Sequence, residues 1–115
     1  MKLLTAIIRQ SALPDVAQAL RAHGVEGYTL TEVKGHGEAA APEEVYRGAR
    51  GSRELIERIK LEIALPEASV ESVAEVILAA AQTGEVGDGR LFVAPLEAAY
   101  QIRTGEAIKP AAASS

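Results

Sequence analysis

Four short segments of the chain are rich in apolar and β-prone residues, and one of them alternates strictly between apolar and charged positions, which is the spacing of a β-strand. In the first segment both alternating sets are mostly apolar, which predicts a central strand covered on both faces. In the third segment the apolar positions alternate with Arg58, Lys60 and Glu62, which predicts one buried and one exposed face. The four predicted strands are residues 2–9, 27–35, 58–65 and 90–96.

Two segments between these strands carry apolar residues three or four positions apart, which is typical of an amphipathic helix. They are residues 12–23, where Ser11 stands in position to cap the start, and residues 69–82. His23 and Gly24 are expected to end the first helix. The order strand, helix, strand, repeated once, predicts an α+β fold, the ferredoxin-like double split-βαβ sandwich.

Composition limits the size and the chemistry of the domain. The 115 residues have room for one domain, and 48 % apolar residues with 3 % aromatics predict an aliphatic core. Such small domains gain further burial by assembly, so we expect a homo-oligomer. The net charge of −4 argues against nucleic-acid binding. With no cysteine in the chain, disulfides and thiolate chemistry are excluded.

The N-terminal apolar run stops at Arg9, which is too short for a signal peptide or a membrane span, so a cytoplasmic protein is expected. No carboxylate pair, nucleophile or histidine stands at a spacing typical of catalysis, and we therefore predict no enzymatic activity. Two histidines without cysteine make a poor set of metal ligands, so no metal site is expected.

Residues 36–57 form a connection of about 20 residues, beyond the roughly 12–15 that structureless loops usually reach. This length predicts a functional loop. Tyr46 and Arg47 are candidate partner contacts, because both residue types are enriched at binding hot spots, although a merely solvated loop is the alternative. Residues 107–115 are expected to be a flexible tail.

Residues 83–90 place three glycines within six positions between the second helix and the fourth strand. Successive amides in such a turn can bind an anion, and the guanidinium of Arg90 suits phosphate. A plain tight turn would explain the glycines equally well. Gly35 and Gly37 end the second strand, and together with Arg90 and Arg103 they suggest a phosphate or nucleotide cleft between chains.

Several motifs, in order along residues 1–106, resemble the PII signal-transduction proteins. They are TEVKGHG at 31–37, YRGA at 46–49, KLEI at 60–63, AQTGEVGDGRLFV at 81–93 and IRTGE at 102–106. The resemblance implies a ferredoxin-like homotrimer that binds adenine nucleotides in three clefts between subunits. It also implies control of a partner protein through the loop at 36–57, which nucleotide binding would order or release.

Carried over position by position, the resemblance implies ten nucleotide-binding residues. They are Thr29, Gly35, Gly37, Glu62, Ala64, Gly87, Asp88, Gly89, Arg90 and Arg103. The glycines would let the backbone approach phosphates, and the two arginines would pair with them. Further contacts with an effector or a partner are expected from the loop and its base, at Glu38, Tyr46, Arg47 and Arg58.

The chain departs from the family pattern at positions that bear on the ligand. Gly51 replaces the tyrosine that many members have uridylylated. Ala39 replaces a glutamine that helps to ligate Mg²⁺ with 2-oxoglutarate, and a methyl group cannot ligate a hard cation. Glu85 and Glu38 replace basic residues, and Gln101 replaces an arginine. Each reversal of charge near a triphosphate costs about 1 kcal/mol or more, so ADP or AMP is expected to be favoured over ATP.

The regulated partner is expected to be a transporter or an enzyme of carbon or nitrogen metabolism. Some divergent members use bicarbonate as a co-ligand and are linked to inorganic-carbon uptake or carboxysomes. Two alternatives stay open. One is an ordinary nitrogen-regulatory PII protein that senses Mg-ATP and 2-oxoglutarate, and the other is a metal-linked trimer of the CutA type, which shares the architecture.

Overall fold

The computed structural model describes residues 1–36 and 55–108. The elements follow the predicted order and confirm the ferredoxin-like α+β fold. The strands are β1 Lys2–Arg9, β2 Thr29–Gly35, β3 Ile56–Leu65 and β4 Gly89–Pro95. The helices are α1 Leu13–Ala22, which follows a 3₁₀ turn at Gln10–Ala12, and α2 Glu67–Ala81.

The four strands form one antiparallel sheet in the order β2-β3-β1-β4. β1 and β3 occupy the centre, with Leu4 opposite Ile63 and Ala6 opposite Leu61. β4 pairs with the other side of β1, and β2 with the other side of β3. Each helix therefore connects two parallel strands that are separated by a third, as the split-βαβ motif requires.

Both helices pack on one face of the sheet and enclose an aliphatic core. The alternation in β3 predicts this face correctly, because Leu61 is fully buried while Lys60 and Glu62 are partly exposed. The buried core contains residues of β1, α1, β3 and α2, namely Leu4, Ala6, Ile8, Val16, Leu20, Ile59, Leu61, Ile63, Leu65, Val73, Ile77 and Ala81.

The second face of β1 is not covered as predicted. Leu3, Thr5 and Ile7 are only half-buried. Phe92, which lies opposite Thr5 on the same face, is 52 % exposed. Because both helices lie on the other side, this face of the sheet stays open in a single chain. The prediction of a strand covered on both faces is therefore wrong for one chain alone.

The start of α1 also differs from the prediction. Ser11 does not cap the helix, because it lies inside the 3₁₀ turn that runs directly into α1. The N-cap position belongs to Ala12, without a side-chain hydrogen bond. The predicted end is confirmed: Gly24 has a φ of 86°, and the Val25 amide donates to the Leu20 carbonyl at 2.9 Å.

A short hairpin follows β4. Tyr100 pairs with Ala107, and the Ile108 amide donates to the Ala99 carbonyl at 2.8 Å. These bonds tie residues 107 and 108 back to the preceding segment. Residues 109–115 lie outside the described residues. No helix in the described ranges is long and apolar enough to cross a membrane.

Candidate functional site

The glycine-rich segment forms a tight turn between α2 and β4. Gly84, Gly87 and Gly89 have φ values of 87°, 107° and 112°, a region that favours glycine. At Gly89 a side chain is also excluded by contact, because a Cβ atom there would lie 1.8 Å from the carbonyl oxygen of Ile7. The close approach of β4 to β1 therefore depends on this glycine.

The carboxylate of Asp88 holds the turn from inside. It accepts hydrogen bonds from the Thr83 hydroxyl, from the Thr83 amide at 2.8 Å and from the Gly84 amide at 2.9 Å. These bonds, those of Thr83 above all, hold the pKa of Asp88 well below its usual range. Asp88 is thus ionised at neutral pH, and its oxygens are engaged by the turn itself.

A residue that the sequence analysis did not single out completes the turn. The Nε of Arg9, at the end of β1, lies 3.3 Å from Oδ1 of Asp88, and its Nη2 donates to the Val86 carbonyl at 2.9 Å. The two residues contacted lie 77 and 79 positions away in the chain. No local motif reveals such a contact, because it depends on the pairing of β1 with β4.

The register gathers several predicted site residues at one end of the sheet. Ile8 pairs with Gly89, so the end of β1 lies beside the turn. Arg9 pairs with Arg58, and on the far side of β3 Gly35 pairs with Ile56. Gly35, Arg58, Gly87, Asp88, Gly89 and Arg90 therefore share this end of the sheet. Both ends of the connection between β2 and β3 leave the sheet here as well.

A pocket of about 440 Å³ opens beside the turn. Asp88, Gly89 and Arg90 contribute to its lining from the turn and the start of β4. The rest of the lining is mostly aliphatic and includes Ile77 and Leu91. The site thus combines a guanidinium, which suits an anionic group, with an apolar wall that suits a less polar part of the same ligand.

Three other predicted site residues lie apart from the turn. Thr29 and Glu62 are direct partners in the register of β2 and β3, and Ala64 lies two residues further along β3. Since β2 and β4 are opposite edges of the sheet, Thr29 and the turn are separated by three strand spacings, about 14 Å. One chain alone does not bring the two groups together.

The remaining predicted residues are placed as follows. Arg103 lies in the exposed hairpin after β4, away from the sheet pairings. Gly37, Glu38, Tyr46 and Arg47 lie outside the described residues, as do Ala39 and Gly51, two of the positions that depart from the PII pattern. Within residues 1–36 and 55–108, no three His, Asp or Glu side chains lie close enough together to hold a metal ion.

These features define a small ferredoxin-like domain, with a glycine-rich turn beside the base of a long connection. The chain belongs to the PII family, because the family model described as nitrogen regulatory protein P-II matches residues 1–106. The predicted resemblance is thereby confirmed, and the family's description is that of a nitrogen regulator. Membership also favours a PII protein over the CutA-type alternative.

Individual relatives agree with this assignment. Nitrogen regulatory protein GlnK of Escherichia coli (strain K12) is 43 % identical over 107 residues, which cover 93 % of this chain and 96 % of GlnK. Nitrogen regulatory protein P-II of Cereibacter sphaeroides is 42 % identical over 106 residues, covering 92 % and 95 %. The crystal structure of Arabidopsis thaliana PII bound to citrate matches with a TM-score of 0.76 and 31 % identity, covering 94 % of this chain and 88 % of that one.

Proposed function

We propose that this protein is a cytoplasmic, homotrimeric signalling regulator that binds adenine nucleotides between subunits and favours ADP or AMP over ATP. It acts without catalysis, by presenting the connection between β2 and β3 to a partner protein. The observation that carries the proposal is the turn at residues 83–89, held by Asp88 beside Arg90 and the apolar pocket.

Phosphate binding at the turn is supported by its backbone and its charge. Gly87 and Gly89 have no side chain, so a ligand can approach the backbone closely at these two positions. The Asp88 carboxylate accepts hydrogen bonds from the Thr83 amide and from Arg9, and these partly offset its negative charge. Arg90 is exposed at the start of β4, where its guanidinium can form two parallel hydrogen bonds to a phosphate.

Preference for a diphosphate or a monophosphate is supported by Glu85. Its amide donates to the Thr83 hydroxyl at 3.2 Å, which places this exposed acidic residue within the turn. A like charge at 4 Å costs about 1 kcal/mol even in bulk water, a factor of about five in affinity. ATP carries the additional negative charge of the γ-phosphate, so repulsion by Glu85 lowers the affinity for ATP more than the affinity for ADP or AMP.

Assembly into a trimer is supported by what a single chain leaves uncovered. The open face of the sheet exposes Phe92, and Ile102 in the C-terminal hairpin is 99 % exposed. Thr29 and Glu62, on one half of the sheet, lie apart from the turn on the other edge. In a ring of copies the β2 side of one chain can meet the β4 side of the next, which would complete one cleft from two chains.

Control of a partner is supported by the position of the turn. β2 ends at Gly35 and β3 begins at Ile56, and both positions lie at the end of the sheet that carries the turn. A nucleotide bound there contacts the base of the segment that would meet the partner. We propose a transporter or a metabolic enzyme as that partner, with bicarbonate as a second ligand.

A second candidate function has a specific observation in its favour. The relatives at 42–43 % identity are named nitrogen regulatory proteins. This similarity favours the ordinary PII activity, in which Mg-ATP and 2-oxoglutarate are sensed together. The two candidates differ in the nucleotide that binds most tightly and in the response to 2-oxoglutarate.

The binding site is tested by calorimetric titration of ADP into the Arg90→Ala variant. Loss of one charged hydrogen bond is expected to weaken binding by a factor of about ten or more. The matched control is Arg21→Ala, which removes the same charge from the last turn of α1. Equal ADP affinity of the Arg90→Ala and wild-type proteins would show that the phosphate site lies elsewhere.

A further inference from the structure

Arg9 makes the contact that joins the central sheet to the glycine-rich turn. It is the last residue of β1, and its side chain is 26 % exposed. One nitrogen lies 3.3 Å from the Asp88 carboxylate, and another donates to the Val86 carbonyl at 2.9 Å. The two acceptors belong to the residues before and after Gly87, so one guanidinium bridges the turn across this glycine.

The two contacts use two different nitrogens of the guanidinium. The Nε atom faces Asp88 and the Nη2 atom faces Val86, a fixed planar arrangement that a lysine ammonium does not reproduce. The register places Arg9 directly opposite Arg58, where two like charges are unfavourable. The ion pair with Asp88 offsets this repulsion and directs the Arg9 side chain toward the turn.

We propose that Arg9 is a positioning residue for the phosphate-binding turn. It fixes the peptide groups around Gly87 in the orientation that receives the phosphate, and it acts through the turn rather than by direct contact with the ligand. The inference rests on the proposed nucleotide binding at residues 83–89. It adds a residue that is distant in sequence from every motif of the site.

The test compares ADP with adenosine, which lacks phosphate, by calorimetric titration of three variants. Arg9→Met removes both contacts and is expected to weaken ADP binding about tenfold, as the loss of one or two ordinary hydrogen bonds would. Arg9→Lys keeps the charge but reaches only one acceptor, so an intermediate loss of about threefold is expected. Adenosine affinity should stay within about twofold throughout.

The control variant is Arg21→Met, which makes the same change in charge and length on α1 and should bind ADP like the wild type. An equal loss for ADP and adenosine in Arg9→Met would show a general structural defect and overturn the inference. Wild-type affinity in Arg9→Lys would show that only the charge matters and would also overturn it. Absence of ADP binding in the wild-type protein would instead refute the proposed function, and with it the role of Arg9 in binding.

Amide hydrogen exchange without nucleotide measures the effect on the turn independently. The Gly84 amide donates to Asp88, and the Asp88 amide donates to the Glu85 carbonyl at 3.3 Å. Arg9→Met should speed exchange at these two amides and leave the paired amides of β1 and β3 unchanged. Unchanged exchange at Gly84 and Asp88 would show that Arg9 does not fix the turn.

Discussion

Replacement of Gly89 by alanine should damage the protein far more than the same change at Gly84. Both glycines belong to one turn and both have positive φ, 112° and 87° respectively. They differ in their surroundings, since an added Cβ meets nothing within 4 Å at Gly84 but lies 1.8 Å from the Ile7 carbonyl oxygen at Gly89. The pair therefore separates the cost of backbone strain from the cost of a collision.

The expected magnitudes follow from these distances. Alanine at Gly84 bears only the left-handed conformation, at about 1–2 kcal/mol. Real Cβ atoms stay at least 3.0 Å from such neighbours, so Gly89→Ala requires β4 to move from β1 by at least about 1.2 Å. That movement breaks the pairing of Gly89 with Ile8, and each lost hydrogen bond costs about 1 kcal/mol. Together with the backbone strain, Gly89→Ala is expected to lower the free energy of unfolding by about 3–5 kcal/mol.

Urea unfolding measures the loss of unfolding free energy in both variants. All proteins are compared at one concentration, because the stability of an oligomer depends on concentration. The Gly89→Ala protein should unfold at a much lower urea concentration than the Gly84→Ala protein. It should also lose ADP binding, since β4 carries Arg90 next to the altered position. Equal free energies of unfolding for the two variants would refute the close approach of β4 to β1 and the account of the turn built on it.

Four other changes test separate parts of the structure. Glu85→Lys should raise the affinity for ATP relative to ADP at least about fivefold in calorimetric titration, because it reverses a charge beside the phosphates. Asp88→Asn should lower the free energy of unfolding at pH 7, measured with urea. Because the pKa of Asp88 is depressed in the folded state, the difference in unfolding free energy between wild type and variant should be complete above about pH 4. It should shrink as the pH falls below that value. Leu61→Ala should lower the free energy of unfolding by about 3 kcal/mol, because Leu61 is fully buried. Leu78→Ala should lower it by less than about 1 kcal/mol, because the Leu78 side chain is 52 % exposed. Phe92→Asp should dissociate the trimer in analytical ultracentrifugation, and an unchanged mass would contradict assembly through the open face.

The fold was predictable where a single local pattern decides the structure. The alternation of β3 separates Leu61 from Lys60 by burial, and the apolar periodicity of α2 marks the residues that face the sheet. Both follow from the geometry of one element and need no knowledge of its neighbours. The glycine spacing at residues 83–89 likewise predicts a sharp turn, and the positive φ values of Gly84, Gly87 and Gly89 confirm it.

Prediction failed where the outcome depends on contacts between distant elements. Ser11 is a suitable capping residue, yet the 3₁₀ turn before α1 moves the helix start past it. Arg9 carries no motif, because its partners become neighbours only when β4 pairs with β1. The second face of β1 is mostly apolar, yet no described element of the same chain covers it, and we propose that neighbouring copies do.

We propose a nucleotide site that prefers ligands with fewer phosphates. Its most direct test is calorimetric titration of the wild-type protein with AMP, ADP and ATP, each with and without Mg²⁺, 2-oxoglutarate and bicarbonate. The account predicts that ADP or AMP binds more tightly than ATP and that 2-oxoglutarate leaves every affinity unchanged. Tight binding of Mg-ATP, strengthened by 2-oxoglutarate, would contradict it and identify an ordinary nitrogen-sensing PII protein.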